Sequence, residues 1–308
     1  MTGAVLSRAF IEFLKNVVPQ ENVRQEEPLA AYTTFRVGGP AKVLVTVENR
    51  EQLQKIMRYL KLAELPYFIL GNGSNLLVSD KGYRGIVLHL AGEFERVSVD
   101  GCRIKAGAVV LMAKAARMAM EAGLKGMEFA SGIPGSIGGG VRMNAGAYGG
   151  EMCGIVETVE VLGEDGSILE LDNETMEFGY RSSVLKNRNF VVLSVTMKLE
   201  PGNREEILSH MNELAAKRRE KQPLEYPSAG STCKRPEGHF AGKLIMDAGL
   251  RGYRVGGACV SEKHCGFVVN TGNATAADVL AVIRDVQRIV QEKFGVELET
   301  EVIFLGEF

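Results

Sequence analysis

Ser131-Gly-Ile-Pro-Gly-Ser-Ile-Gly-Gly-Gly140, running on into Val141-Arg-Met-Asn144-Ala-Gly-Ala-Tyr148-Gly-Gly150, carries eight glycines in twenty residues. Glycine removes the Cβ where a backbone must bend sharply or approach something closely. Loops of this kind let several amide N–H groups converge on phosphate oxygens, which accept more than one donor each. The spacing is neither that of a Walker loop nor a Gly-x-Gly-x-x-Gly opening a helix after a strand. A flexible linker is the competing reading, but isoleucine, valine and methionine stand where a linker would carry serine and lysine. The stretch therefore points to a bulky phosphorylated ligand held in an unusual way.

Working outward, 308 residues correspond to about two domains with ample chain for a core. Hydrophobic content of 45% and charged content of 24% are those of an ordinary globular protein. A formal net charge of -2 gives no global attraction to nucleic acid or an anionic membrane. Five cysteines, at 102, 153, 233, 259 and 265, form neither a C-x-x-C pair nor a disulfide framework, which points to reduced thiols and a cytoplasmic setting. Charge at Arg8, Glu12 and Lys15 interrupts the amino terminus too often for a signal peptide. No apolar run approaches the roughly 18 residues of a membrane span. The four histidines form no metal-ligand pattern, so no catalytic metal is expected.

Periodicity predicts an α/β beginning. Phe10, Phe13, Leu14 and Val17 suggest a first amphipathic helix, and Leu53, Ile56, Met57 and Leu60 a second. Strands are expected at 43–47, 68–70, 76–78 and 86–90. A second lobe opens near Phe94, with hairpins around Asp100-Gly101 and Gly163–Gly166, a helix over 109–121 ended by Gly123, and a strand over 190–199. Asn203 caps a helix whose Ile207, Leu208, Met211 and Leu214 are expected to face inward. The main domain boundary is placed at Pro201-Gly202. Short strands at 252–255, 258–260 and 267–270, a helix over 275–294 stopped by Gly295, and a strand over 301–305 complete the chain.

Two further loops are rich in donors: Thr33-Thr34-Phe-Arg36-Val-Gly-Gly and Gly71-Asn72-Gly73-Ser74-Asn75. Each alone reads equally well as an ordinary turn. Three such loops in one chain suit a long dinucleotide anchored at several points. With Gly132, Pro134, Gly135, Ser136, Gly138, Gly139, Asn144 and Ala145, they resemble the flavin-binding half of the UDP-N-acetylenolpyruvoylglucosamine reductase family, in the subtype that lacks a substrate-closing loop. The later segments Arg218-Arg-Glu-Lys221-Gln-Pro, Ala229-Gly-Ser231-Thr-Cys233-Lys-Arg235-Pro and Val260-Ser-Glu-Lys-His264 resemble its substrate domain.

The resemblance implies an α+β fold: a two-lobed FAD-binding domain of the vanillyl-alcohol-oxidase type over 1–200 (lobes about 1–92 and 93–200), then an α/β substrate domain over 201–308. The last strand is expected to return to the FAD lobes. It implies FAD bound by the sixteen residues just numbered from Thr33, Thr34 and Arg36 to Ala145, with NADPH as reductant. The substrate implied is UDP-N-acetylglucosamine enolpyruvate, in peptidoglycan precursor synthesis, with no nucleic-acid or membrane partner and a monomer or weak oligomer. Ser231 matches a proton donor, Arg181 a cation for the enolate carboxylate, and Glu301 a stabilising carboxyl acting protonated or through water. Tyr180, Arg218, Lys221 and Arg235 match substrate-binding positions. Ile303 and Cys233 depart from the family pattern, which leads one to expect arginine and an aromatic residue there.

Read without the resemblance, Ser231 is a turn residue, Glu301 a strand-edge carboxylate, and the cations at 217–221 a solvated helix end. A thiol hydrolase built on Cys233 with His239 or His264 lacks the rest of a triad. A flavoprotein oxidase of the same fold and a sugar-nucleotide-binding protein without flavin are the remaining rivals.

Overall fold

The computed structural model describes residues 8–308. The expectation drawn from the amino terminus falls partly on residues 1–7, outside the described residues. The chain forms two compact units, the first of 8–25, 43–72 and 85–217, the second of 26–42, 73–84 and 218–308.

The first unit contains two lobes. One carries the helices Arg8–Val17 and Arg50–Leu62 and most of a four-stranded sheet ordered Val23–Pro28, Pro40–Val47, Tyr83–Leu90, Tyr67–Leu70. Its core gathers Phe10, Leu14, Val45, Leu53, Ile56 and Leu88, the inward faces that the helical and alternating spacings announce. The other lobe is a five-stranded antiparallel sheet ordered Ile168–Asp172, Val156–Leu162, Val191–Lys198, Arg103–Gly107, Val97–Asp100. The helices Met112–Glu121 and Ile137–Arg142 bury Met112, Ala115, Ala119, Ile137 and Val141 in its core. The two expected hairpins form as antiparallel pairs.

The second unit carries an antiparallel sheet ordered Ser228–Ser231, Phe267–Asn270, Ala258–Val260, Arg254–Val255, with the helices Ala241–Asp247 and Ala276–Phe294. The long helix begins in a Thr275/Asp278 capping box and ends at Gly295 in the left-handed conformation. Phe35, Val37 and Leu77, far earlier in sequence, are buried in the same core as Val279 and Val286.

The expected boundary near residue 200, with the last strand returning to the amino-terminal lobes, stands beside a second unit that also draws on 26–42 and 73–84. Strand Ile303–Leu305 runs parallel to Leu76–Val78, and both lie in the second unit. A parallel pair joins segments that are distant in sequence, and local composition carries no mark of it. One inward-facing expectation also fails. Leu208 is 43% exposed, whereas Ile207 and Leu214 are buried as expected.

Candidate active site

In the first unit the glycine-rich stretch is more ordered than its composition suggests. Ser136 caps the helix Ile137–Arg142, its Oγ accepting from the Gly139 N–H at 3.3 Å. The Gly71-Asn72 turn lies against this loop. Asn72 Nδ2 donates to the Pro134 carbonyl, and a Cβ on Gly71 would stand 2.7 Å from Ser136 Oγ. The structure thus gathers Gly71, Asn72, Pro134, Ser136 and Gly139. Gly135 lies in the same loop, its carbonyl accepting from Met112 N–H, while Gly138 donates to the Ala108 carbonyl. Gly132 ends the short 3-10 turn that precedes them.

The helix closes in a left-handed cap. Asn144 (φ +42°) donates its N–H to Val141, and the Ala145 N–H reaches back to Gly140. Close by is a tight turn in which Gly179 and Ser182 exchange backbone hydrogen bonds around Tyr180 and Arg181. Arg181 holds φ +53°, its guanidinium lies 5.3 Å from the Tyr180 ring centroid, and Nη2 donates to the Gly146 carbonyl at 3.3 Å. Tyr180 is exposed.

In the second unit Gly73, Ser74 and Asn75 follow directly in the chain. The Gly73 carbonyl accepts from Thr34 N–H at 3.2 Å, and the Thr33 hydroxyl donates to the Val37 carbonyl at 3.3 Å. Thr34 Oγ1 is buried without a hydrogen-bond partner among the described residues. Arg36 is exposed at φ +56°. Asn75 then does two things at once: its carbonyl accepts from Ile303 N–H at 3.0 Å, and its Nδ2 donates to the Glu301 carbonyl at 2.9 Å. The Glu301 N–H donates to the Thr232 carbonyl at 2.8 Å. Ser231 precedes Thr232 at the end of the strand paired with Phe267, after a register irregularity at Gly230. Asn75, Glu301 and Ser231 are therefore brought together by adjoining backbone rungs.

Thr232, which the sequence reading passed over, is the hinge of this arrangement. It is buried, its N–H donates to the Gly266 carbonyl, and its Oγ1 accepts from Val268 N–H. Its position beside Ser231 was the only available signal. Cys233 is buried, and burial, reinforced by the Glu301 charge, pushes its thiol up to about 12. A thiol so protonated at neutral pH is a core residue, which removes the Cys233 hydrolase. Burial also lowers His264, whose Nδ1 accepts from Gly266 N–H.

The cations are spread along the second unit. Arg218 and Lys221 end the helix Arg204–Lys221, and Lys263 Nζ donates to the Arg219 carbonyl beside them at 2.7 Å. Arg235 lies over the exposed Phe240 ring at 3.9 Å and donates to the His239 carbonyl. A cleft of about 450 Å³ lined by Asp80, Lys81, Arg284 and Glu307 holds none of the expected site residues. Among the described residues no cluster of three or more His, Cys, Asp or Glu is arranged to hold a metal.

Comparison with known proteins agrees with this anatomy. Residues 41–172 match the FAD binding domain family, and residues 222–305 match the C-terminal domain of UDP-N-acetylenolpyruvoylglucosamine reductase. The reductase of Caldanaerobacter subterraneus is 50% identical over 98% of this chain and 100% of its own length. That of Clostridioides difficile is 49% identical over 96% and 97%. The crystal structure of the Thermus caldophilus reductase is similar at 42% identity and a TM-score of 0.80, covering 92% of this chain and 98% of that one. With half its residues shared along nearly its whole length, the chain belongs to the UDP-N-acetylenolpyruvoylglucosamine reductase family of FAD-dependent, NADPH-consuming oxidoreductases.

Proposed function

We propose that this protein reduces UDP-N-acetylglucosamine enolpyruvate to UDP-N-acetylmuramate at the expense of NADPH, supplying a peptidoglycan precursor. The observation that carries the reading is the Asn75–Glu301–Thr232 chain of hydrogen bonds, which ties the backbone at Glu301 to that beside Ser231 and to the Gly71–Asn75 turn.

The residues present fit FAD. The buried Thr34 hydroxyl has hydrogen-bonding capacity to spare, and the Gly71–Asn75 turn with the backbone at Gly135 and Ser136 supplies the donors, those of Ile137, Gly138 and Gly139 being spent within the lobe. Thr33, Thr34, Arg36, the Gly71–Asn75 turn and the Gly132–Gly139 segment are the residues that would hold it. When bound, the flavin would supply the hydride for reduction of the substrate alkene.

The Arg181 guanidinium, able to bind bidentately, is suited to the planar substrate carboxylate and to negative charge beside it. Ser231 Oγ–H delivers the proton to the adjacent carbon, since only a carbanion is base enough to take it, and the alkoxide regains its proton from water. Glu301, protonated or through water, adds a second stabilising contact. Tyr180, Arg218, Lys221 and Arg235 bind the sugar nucleotide, the cations on its diphosphate. On the same reading the enzyme works in the cytoplasm as a monomer or weak oligomer. Among the described residues no helix is long and apolar enough to cross a membrane.

The test is anaerobic. NADPH should bleach the flavin absorbance of the holoprotein, and the enolpyruvyl sugar nucleotide should restore it; failure to restore it would overturn the assignment. Ser231→Ala should slow restoration by roughly 10²–10⁴-fold while leaving bleaching nearly unchanged. Equal damage to both half-reactions would make the serine structural.

A further inference from the structure

Asn144 stands in the glycine-rich stretch, among residues assigned to the cofactor, yet its side chain is committed elsewhere. It is 2% exposed. One Nδ2 hydrogen goes to Glu151 Oε2 at 3.0 Å and the other to the Gly179 carbonyl at 3.1 Å, while Oδ1 accepts from the Cys153 N–H at 2.9 Å. An amide has two donor hydrogens, and both are used inside the first unit.

Backbone geometry does not explain the choice of residue. The φ of +42° at the end of the helix suits asparagine, but glycine serves such a cap at least as well. What glycine would lack are the ties to Glu151 and Cys153, which stay within the glycine-rich segment, and the tie to Gly179, which leaves it. That carbonyl opens the four-residue turn carrying Tyr180 and Arg181, and Arg181 itself holds the rarely populated left-handed backbone conformation. From the far side of the turn Arg181 Nη2 reaches the Gly146 carbonyl, two residues beyond Asn144. The asparagine amide and the guanidinium thus both cross-link the turn to the end of the glycine-rich stretch, with Ser183 Oγ donating to the Arg142 carbonyl at 3.0 Å just beyond the turn.

We infer that Asn144 is a positioning residue: through Gly179 it sets the turn that aims the Arg181 guanidinium, and its side chain does not serve the cofactor. The inference rests on the proposed role of Arg181. Backbone strain at an aimed residue persists only where its surroundings over-determine it, and here Asn144 supplies one of the ties. A displacement of about 1 Å at a group that orients substrate costs on the order of 10²-fold in rate.

The test compares Asn144→Gly, Arg181→Ala and the double variant. Asn144→Gly should keep its FAD dissociation constant, measured by titrating the apoprotein, within twofold of wild type. Bleaching by NADPH should change equally little, while reduction of the enolpyruvyl substrate should slow by about 10–100-fold. The double variant should be no slower than Arg181→Ala alone, because the asparagine acts through the arginine. Should Asn144→Gly fail to fold, Asn144→Asp, which also tolerates the left-handed cap but puts a carboxylate against Gly179 O and Glu151, should give the same pattern. Tenfold weaker FAD binding, additive losses in the double variant, or an Asn144→Gly enzyme of normal rate beside a crippled Arg181→Ala would each overturn the inference alone. A wild-type rate in Arg181→Ala would overturn the role of the arginine and the inference with it.

Discussion

The two units hold their site residues by different means. In the first, side chains do the fastening: Ser136 on Gly139, Asn72 on Pro134, Asn144 on Gly179. In the second, the residues come from three distant segments and are fastened mostly by backbone: Thr34 to Gly73, Asn75 to Ile303, Glu301 to Thr232. Side-chain fastening can be changed one group at a time. Backbone fastening tolerates little, because each rung fixes the register of its neighbours.

The sharpest way to break this contrast is a pair of glycine substitutions. Gly73 in the second unit has φ +58°, and a Cβ there would sit 2.0 Å from the Tyr32 carbonyl oxygen and 2.9 Å from Thr33 Cα. Gly149 in the first unit has φ +88° with nothing within 4 Å. Gly73→Ala should cost about 3 kcal/mol or more, since backbone must move. Gly149→Ala should cost only the left-handed penalty of about 1–2 kcal/mol. Denaturant unfolding of both variants measures this, and equal losses would erase the distinction.

The same contrast explains what the sequence made legible. Helix Ala276–Phe294 was readable from Thr275, its apolar spacing and Gly295, and the hairpins from Asp100-Gly101 and Gly163–Gly166, because each signal acts within a few residues. Ser231, Glu301 and Asn75 were singled out by motif, but nothing local told that Asn75 would hold Glu301 across 226 positions. Helix Ile137–Arg142 was missed because three glycines each cost about 1 kcal/mol of helix propensity. The Ser136 cap and the full burial of Ile137 and Val141 outweigh that cost, and these are properties of the packed lobe. The discontinuous second unit was missed for a related reason: Phe35, Val37 and Leu77 look like any core residues until the strand pairing places them.

Asp80 offers a milder probe of the second unit, where one side chain assists the backbone. Its carboxylate accepts from the Ala276 and Ala277 N–H groups at 2.8 and 2.9 Å, tying segment 73–84 to the start of the long helix. Charge at a helix amino terminus also favours the dipole. Asp80→Ala should cost about 1–2 kcal/mol, lowering Tm by roughly 2–4 °C per kcal/mol. The helix itself should survive on the Thr275/Asp278 capping box, with unchanged far-ultraviolet circular dichroism. A Tm equal to wild type would mean that the early segment is held by its strand alone.

The smallest effect should come from the ion pair joining the two lobes of the first unit. Arg50, at the start of its helix, donates from both Nη atoms to Glu160 at 2.6 and 2.7 Å, and Ser194 adds a third bond to that carboxylate. Burial by itself would raise Glu160, but the bonds from Arg50 and Ser194 and the charges of Arg50 and Lys105 outweigh it and hold the carboxyl below its usual range. A carboxyl depressed in the folded state contributes stability above its unfolded value, about 4.3, and loses it as pH falls through the folded value. Because Arg50 is 37% exposed, solvent screens the pair and its worth is about 1 kcal/mol. Glu160→Gln should therefore be less stable than wild type by that amount at pH 7, with the gap closing as the pH drops below about 4. Asp80→Ala and Glu160→Gln unfolded in parallel at pH 7 and 0.5 M salt extend the comparison. The Glu160 gap should shrink, since the Debye length is then well under 10 Å, while the Asp80 gap, made of hydrogen bonds to backbone, should shrink less. The opposite ranking would mean that the lobes of the first unit are held by packing and that charge fastens the second.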